Sequence, residues 1–405
     1  MQPAAPSVGR GRDRHAQRHV RVAATDLPAL EFRPRLVTTV AELELLAPAW
    51  ERLVETAMCP NPFFDPDFLI PAFEHLGDGA VEVVVVEAPK RQQRSAEPVL
   101  VGLFPVVRRR LYKLPVSCFE VWKHEFCFNT TPLLRDDCAY EALEAAMRFM
   151  GEECGVALWS LVDAMGEGPF QNLVTEICHD QDRSVFLRRA VLRAEFRAAG
   201  DADTYLRSKT SSKTRKNTQR LARRLSEAGP IRVEVATPDD APDEWSDDFL
   251  ELESLGWRSA EGTAMRSKPA TERFFRDLTE RSLPKSKMTF LRLRQGDATI
   301  ASMCDMVQRD DVAHFRTAYD ERLASYSPGL QLELANVERM HEAGVQRADS
   351  CADPGHSMIN RVWGDRVRMQ SSVIAVGGEL ARAVVAALPL LQALGRFART
   401  ARGRS

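Results

Sequence analysis

The chain has 405 residues and a formal charge of −2, which excludes a surface given over wholly to nucleic acid but leaves room for local basic patches. Hydrophobic residues make up 44% and charged ones 28%, the balance of a globular protein, and no window approaches the ~20 unbroken apolar residues of a membrane span. The eight cysteines form no C-x-x-C pair and no zinc spacing, so they read as reduced, mostly buried thiols of a cytoplasmic protein that holds no metal.

Residues 1–30 are rich in Arg, Ala, Pro and His without an apolar stretch, and read as a disordered tail rather than a secretory signal. Over residues 35–54, Leu43, Leu46, Trp50 and Leu53 recur at helical spacing. Phe68, Phe73 and Leu76 mark a second helix. A valine run at 81–87 predicts a strand buried on both faces, returned through a hairpin loop at 91–95 by a strand at 98–108. Helices at 139–153 and 170–179 alternate with strands at 157–162 and 185–193. This succession predicts an α/β (α+β) fold on a mixed sheet.

Residues 204–228 predict one long basic helix, with eight Lys/Arg and no acid between Tyr205 and Arg224, stopped by Gly229-Pro230. It reads either as a solvated face paired with Asp239-Asp240 and Asp243-Glu244 or as a phosphate-tracking surface. A strand at 231–236, helices at 245–255 and 271–282, and strands at 288–293 and 298–307 follow. Residues 312–319 alternate as a half-buried strand that puts His314 and Arg316 on one polar face. Next, Ser327 suits an N-cap and Pro328 a first helical position, since its missing N–H would be unpaired there anyway. Leu330, Leu334, Val337 and His341 stripe the helix that Gly344 ends, and a short strand at 347–351 completes a strand–helix–strand unit. Such a helix start offers free N–H groups and a positive dipole to an anion. Residues 379–402 read as an amphipathic helix with basic flanks, packed on the domain or on a partner rather than touching a membrane surface peripherally.

Gly256-Trp257, Gly262-Thr263-Ala264, Thr317-Ala318-Tyr319-Asp320, Tyr326-Ser327-Pro328-Gly329 and Trp363-Gly364-Asp365-Arg366 occur in this order. With Asn61-Pro62-Phe63-Phe64 and Thr131-Pro132-Leu133-Leu134, they resemble the GNAT-superfamily acyltransferases of the CelD/BcsL type, cellulose and exopolysaccharide biosynthesis proteins, and more distantly the FemAB transferases. The resemblance implies two tandem GNAT-like domains, at 31–195 and 196–372, with a tail or helix at 373–405 and one active site in the second domain. It implies acyl-CoA (acetyl-CoA) as co-substrate and a saccharide or small-molecule acceptor. A FemAB-like transfer from aminoacyl-tRNA and an idle scaffold in a polysaccharide-synthesis complex stay open, because the usual GNAT phosphate loop, Q/R-x-x-G-x-G/A, is replaced by Tyr-Ser-Pro-Gly.

Acyl transfer needs proximity and proton management more than special groups. Tyr319, at the strand end, would protonate a leaving thiolate, and Asp320 or Glu253 would take the acceptor's proton; Glu321 fits a solvated turn. Arg316, Tyr326, Ser327, Pro328 and Gly329 would hold the donor. Trp257, His314, Asp353, Arg361 and Arg366, with His356 and Asn360 nearby, would line the acceptor side, near the C-terminal ends of the strands. Packing alone is an equal reading for Trp257 and for the strand-end tyrosine.

Overall fold

Short β-branched runs and capped helices alternate along the chain, and the computed structural model describes them over residues 31–89, 98–110, 116–227 and 229–402. The expected tail at 1–30 and hairpin loop at 91–95 lie outside the described residues. The first half runs β1 (Arg33–Val37), α1 (Val40–Thr56), α2 (Pro66–Leu76), β2 (Val81–Ala88), β3 (Val99–Arg110), β4 (Ser117–Val121), β5 (Leu133–Leu134), α3 (Ala139–Glu152), β6 (Leu158–Met165), α4 (Pro169–Asp180) and β7 (Val185–Arg197). Two basic helices follow, α5 (Ala202–Lys209) and α6 (Ser212–Ser226). The second half runs β8 (Ile231–Val235), α7 (Pro242–Ser254), α8 (Trp257–Ala260), α9 (Pro269–Ser282), β9 (Met288–Gln295), β10 (Ala298–Gln308), β11 (Asp311–Tyr319), α10 (Pro328–Glu342) and β12 (Arg347–Asp349). Finally come β13 (Asp365–Ala375) and α11 (Glu379–Arg402).

Among the described residues thirteen strands join one mixed sheet in the order β1-β2-β3-β4-β6-β13-β7-β12-β11-β10-β9-β8, with β5 beside β3. The fold is α/β, as its alternation implies. Within it β1-β2-β3-β4-β6 and β8-β9-β10-β11-β12 share one pairing pattern, three antiparallel neighbours and then one parallel pair. The late strand β13 lies between β6 and β7 of the first half, antiparallel to both. Helices α2 and α9 tie the halves from one face, where His75 Nε2 meets Asp277 at 3.3 Å and Lys287 reaches Asp65 at 2.9 Å.

Four local expectations change. Residues 33–37 are strand rather than helix; α1 starts after Thr39, which forms a capping box with Glu42. The single basic helix is two, because Thr210 is extended and Ser211 caps the second through the Thr214 N–H. Arg215 closes the break by donating to the carbonyls of Leu206 and Arg207 at 3.3 Å each. The strand expected at 347–351 stops at Asp349, since Cys351 turns into the left-handed region at φ 52°. No strand was expected at 365–375. α11 packs Ala381, Val385 and Leu388 on β13 and leaves Leu380 and Leu390 exposed. Among the described residues no helix is long and apolar enough to cross a membrane.

Candidate active site

The site begins with a bulge. Opposite β10, Cys304 pairs with Arg316 and Asp305 with His314, so Phe315 is an extra residue in β11. A bulge of this kind re-aims the side chains on either side of it. Val312, His314, Thr317 and Tyr319 accordingly face α10, whereas Ala313, Phe315, Arg316 and Ala318 face α7 and α9. The expected shared face of His314 and Arg316 is therefore wrong: strict alternation fails at Phe315.

Strands β11 and β12 pair only from Asp311–Arg347 to Ala313–Asp349. Beyond that point they part. Between the unpaired end of β11 and residues 350–359 opens a cavity of about 810 Å³, whose other walls come from residues 123–128, α8 and strands β6, β7 and β13. At the fork sits the start of α10. Ser327 does not cap it with its side chain but adopts a left-handed conformation (φ 52°), and its N–H is spent on Ala324 O at 3.0 Å. Pro328 has no N–H, and Gln331 donates to Ser327 O at 3.1 Å, so the amides of Gly329 and Leu330 precede the first regular helical bond. Gly329 lies close to the cavity wall: a Cβ there would sit 3.4 Å from Tyr319, 3.6 Å from Met358 and 3.9 Å from Thr317. A smaller hollow of about 200 Å³ around Arg309 and Asp310 lies at the other end of β11.

His314, Arg316, Tyr319, Trp257, Asp353 and His356 all line the large cavity. Trp257 is half exposed; its N–H donates to Glu321 Oε1 at 2.6 Å, and Arg258 stacks on its ring at 4.6 Å. Glu321 is thus engaged rather than merely solvated. Glu253 is buried and held by others: its Oε2 accepts the Met265 N–H at 2.8 Å, and its Oε1 lies 2.6 Å from Arg316 Nε as a charge contact rather than an aligned hydrogen bond. Arg316 also donates to Thr263 O at 3.0 Å and lies over the Phe126 ring. Asp320 caps the 3-10 turn at 321–326 and pairs with Arg322, whose hydrogen bond holds its carboxyl below the usual range. Tyr326 lies under Arg224, 5.8 Å from the guanidinium to the ring. Arg361 and Arg366 are exposed and outside the lining; Arg366 donates to the carbonyls of Trp363 and Asp365.

Several groups at the site carried no sequence assignment. The first half supplies Lys123, Asp163, Arg189 and Arg193 to the cavity. Lys123 pairs with Asp163, and Arg193 pairs with Asp349 and donates to Phe128 O at 2.9 Å. Behind β11 lies a buried polar network. Asp305 Oδ1 is 2.7 Å from His314 Nδ1, and His314 Nε2 is 2.9 Å from Thr317 Oγ1. Asp305 Oδ2 accepts from Asn336 at 3.0 Å and Arg339 at 3.1 Å. Burial pushes the Asp305 carboxyl up, but the bond and charge of His314, with Arg339, outweigh it and leave it lowered. Burial pulls the His314 imidazole down, and Asp305 more than restores it, leaving it raised. Glu333, whose Oε1 accepts from Trp363 Nε1 at 2.7 Å, is pushed up by burial to about 7. The sequence did carry a signal for this network: Asp305 in the apolar run 300–307 and Glu333 beside the apolar stripe of α10 each demand a buried partner. The two thiols of the wall, Cys127 and Cys351, are held protonated by burial, Cys127 pushed up to about 12, so neither is a poised thiolate.

Searched against known proteins, the chain has no match among curated sequences. Its fold is similar to the crystal structure of FemX, at 9% identity and TM-score 0.54, covering 84% of this chain and 96% of that one. It is also similar to a conserved protein of unknown function from Bacteroides thetaiotaomicron, at 10% identity and TM-score 0.51, covering 85% of this chain and 99% of that one. Residues 212–356, which hold α6, the bulged strand, the fork and α10, match the family model described as the acetyltransferase (GNAT) domain, so the segment that builds the site is similar to the GNAT acetyltransferases.

Proposed function

We propose that this chain is an acyltransferase that takes an acyl group from an acyl-CoA, acetyl-CoA first, and passes it to an amine or hydroxyl of a sugar, polysaccharide precursor or small molecule in the cavity. One observation carries the reading: β11 and β12 part after three paired residues, with the start of α10, its Pro328 and Gly329 buried behind Tyr319 and Met358, at the fork and the cavity beside it. The freed edge of β11 offers backbone groups to an extended thioester arm, and the helix start offers two amides and a dipole to its phosphates. Those amides are fewer than a glycine-rich loop would give. Arg224, over the Tyr326 ring, adds positive charge nearby.

A FemAB-like transfer from aminoacyl-tRNA is the second reading, and α6 favours it. Among the described residues no acid pairs with Lys213, Lys216, Arg220, Arg223 or Arg224. Two of the four acids expected to pair with them are engaged elsewhere, Glu244 with Arg292 at 2.8 Å and Asp240 with Thr237. Calorimetry on the full chain with acetyl-CoA and with charged tRNA separates the two; if neither binds, only the scaffold reading is left. Gly329→Val adds methyls toward Tyr319 and Thr317 at the fork, and we expect acetyl-CoA to bind ~10-fold more weakly or worse. Unchanged affinity would move the donor elsewhere.

A further inference from the structure

We propose that Thr317, His314 and Asp305 form a proton relay that opens into the cavity at the Thr317 hydroxyl and removes the acceptor's proton during transfer. The relay rests on the acyl-transfer reading and specifies its base.

Three observations carry it. First, His314 and Thr317 are three apart in a strand and would ordinarily face opposite ways; the extra residue Phe315 places them on one face, 2.9 Å from Nε2 to Oγ1. Second, Asp305 is wholly buried and fixed on both oxygens, by His314 on one and by Asn336 and Arg339 on the other. An ionised Asp305 accepts Nδ1–H, which leaves Nε2 of the neutral imidazole as an acceptor and Thr317 as its donor. Third, the network meets the cavity wall at His314 and Thr317, and the hydroxyl it brings there is that of Thr317, beside Tyr319 and against Gly329. Buried charged networks of this kind are no cheaper than an apolar core, so packing alone does not explain them. Hydroxyl, imidazole and carboxylate in this order are the arrangement that moves a proton away from an attacking group.

In the step itself the acceptor's nitrogen attacks the thioester carbonyl carbon. The C–N bond forms, the C–S bond breaks, and its electron pair leaves on sulfur. The nitrogen's surplus proton passes to Thr317 Oγ1 as the Thr317 proton passes to His314 Nε2. The imidazolium, held against Asp305, returns the proton by the same path to the departing thiolate, so thioester and amine become amide and thiol. Thr317 touches the substrate and is the catalytic residue of the relay; His314 and Asp305 act through it as positioning and proton-holding residues. His314 is faced by Asp305 from β10, by Glu333 and Arg339 from α10, and by His356 from the segment after β12. Only the neutral imidazole takes a proton, so the rate should rise with pH as His314 and the nearby Glu333 titrate.

The test follows thiol release from acetyl-CoA with glucosamine as acceptor and, independently of CoA, p-nitrophenol release from p-nitrophenyl acetate. Thr317→Val keeps the shape and removes the hydroxyl; we expect kcat to fall ~100-fold or more with the acetyl-CoA KM little changed. Thr317→Ser should recover most of the loss. In Asp305→Asn the acid limb of the rate profile should move to lower pH, because the anion that raises His314 is gone, and the plateau should drop. Thermal melts confirm folding, and if Asp305→Asn does not fold, His314→Gln with the Thr317 pair carries the decision. A folded Thr317→Val at the wild-type rate overturns the relay alone. A wild-type chain inert toward both donors overturns the relay and the transferase reading together.

Discussion

Each half of the sheet contains one parallel junction: Cys118–Glu120 against Leu158–Ser160 in the first, and Asp311–Ala313 against Arg347–Asp349 in the second. Both are three residue pairs long, and both follow three antiparallel neighbours. After β4, however, the chain folds back into its own fork. The Trp122 N–H bonds Pro105 O at 2.8 Å, the Thr130 N–H bonds Asp163 O at 3.3 Å, and Thr131 Oγ1 accepts the Met165 N–H at 2.9 Å. Trp122, His124 and Phe126 pack on one another and against Phe73 and Phe68 of α2 and Phe274 of α9, and burial drives the His124 imidazole down to about 3, so it stays neutral among the rings. After β11 the chain turns away through the 3-10 turn to α10, and the space stays open. One strand pattern thus gives a plugged wall in one half and a chamber in the other, decided by the dozen residues that follow the parallel strand.

The largest break in this comparison should come from Asn61, which locks the plug. Its Nδ2 donates to Asn129 O at 3.1 Å and Thr131 O at 2.7 Å, and its Oδ1 accepts the Phe63 N–H at 3.1 Å. Asn61→Ala orphans Thr131 O and the Phe63 N–H and leaves Asn129 O only the weak Cys127 thiol, and urea unfolding should show a loss of ~4 kcal/mol. The two motifs of the first half, around Asn61 and Thr131, are this one contact. On the open side, Glu253→Gln should cost about 3 kcal/mol, since Arg316 would be left buried beside a neutral amide. If Glu253 positions rather than abstracts protons, kcat of the folded variant should fall far less than in Thr317→Val; an equal fall would restore Glu253 as base.

Smaller and dependent on pH is Glu333→Gln. The Glu333 carboxyl titrates at about 7 in the folded chain against an ordinary 4.5, so its contribution is fully present below pH 4.5 and lost as pH rises through 7. The glutamine variant still accepts from Trp363 and has no charge to bury. Its stability relative to wild type should therefore improve by up to ~3 kcal/mol between pH 4.5 and 7.5, read as the difference in unfolding midpoints across that range. A flat difference would mean that Glu333 is ionised throughout.

Much of this was legible from the chain. The helix start at Pro328, the strand over 312–319 and the helix end at Gly344 are local signals that lie where the residues put them, although Ser327 gives no side-chain cap and the alternation breaks at Phe315. What escaped was non-local. The bulge at Phe315 arises from register against β10, and no residue in β11 announces it. Lys123, Arg189 and Arg193 reach the cavity only because β6, β13 and β7 lie side by side, and strand order is set by pairings over a hundred residues apart. The break at Thr210 was a matter of competing hydroxyls, which cap as readily as they continue a helix. Asp305 is legible in the chain as a lone carboxylate within an apolar strand, which demands a buried partner.

The position of β13 bears on how this molecule comes into being. β6 and β7 do not pair with each other; each is completed by residues 365–375. A ribosome making the chain from the N-terminus releases β6 and β7 well before the strand that joins them, so the earlier half waits as a split sheet with two unsatisfied edges. Closure must come late in synthesis or after it, and a nascent chain stalled short of residue 365 exposes the kind of edge that other chains can claim.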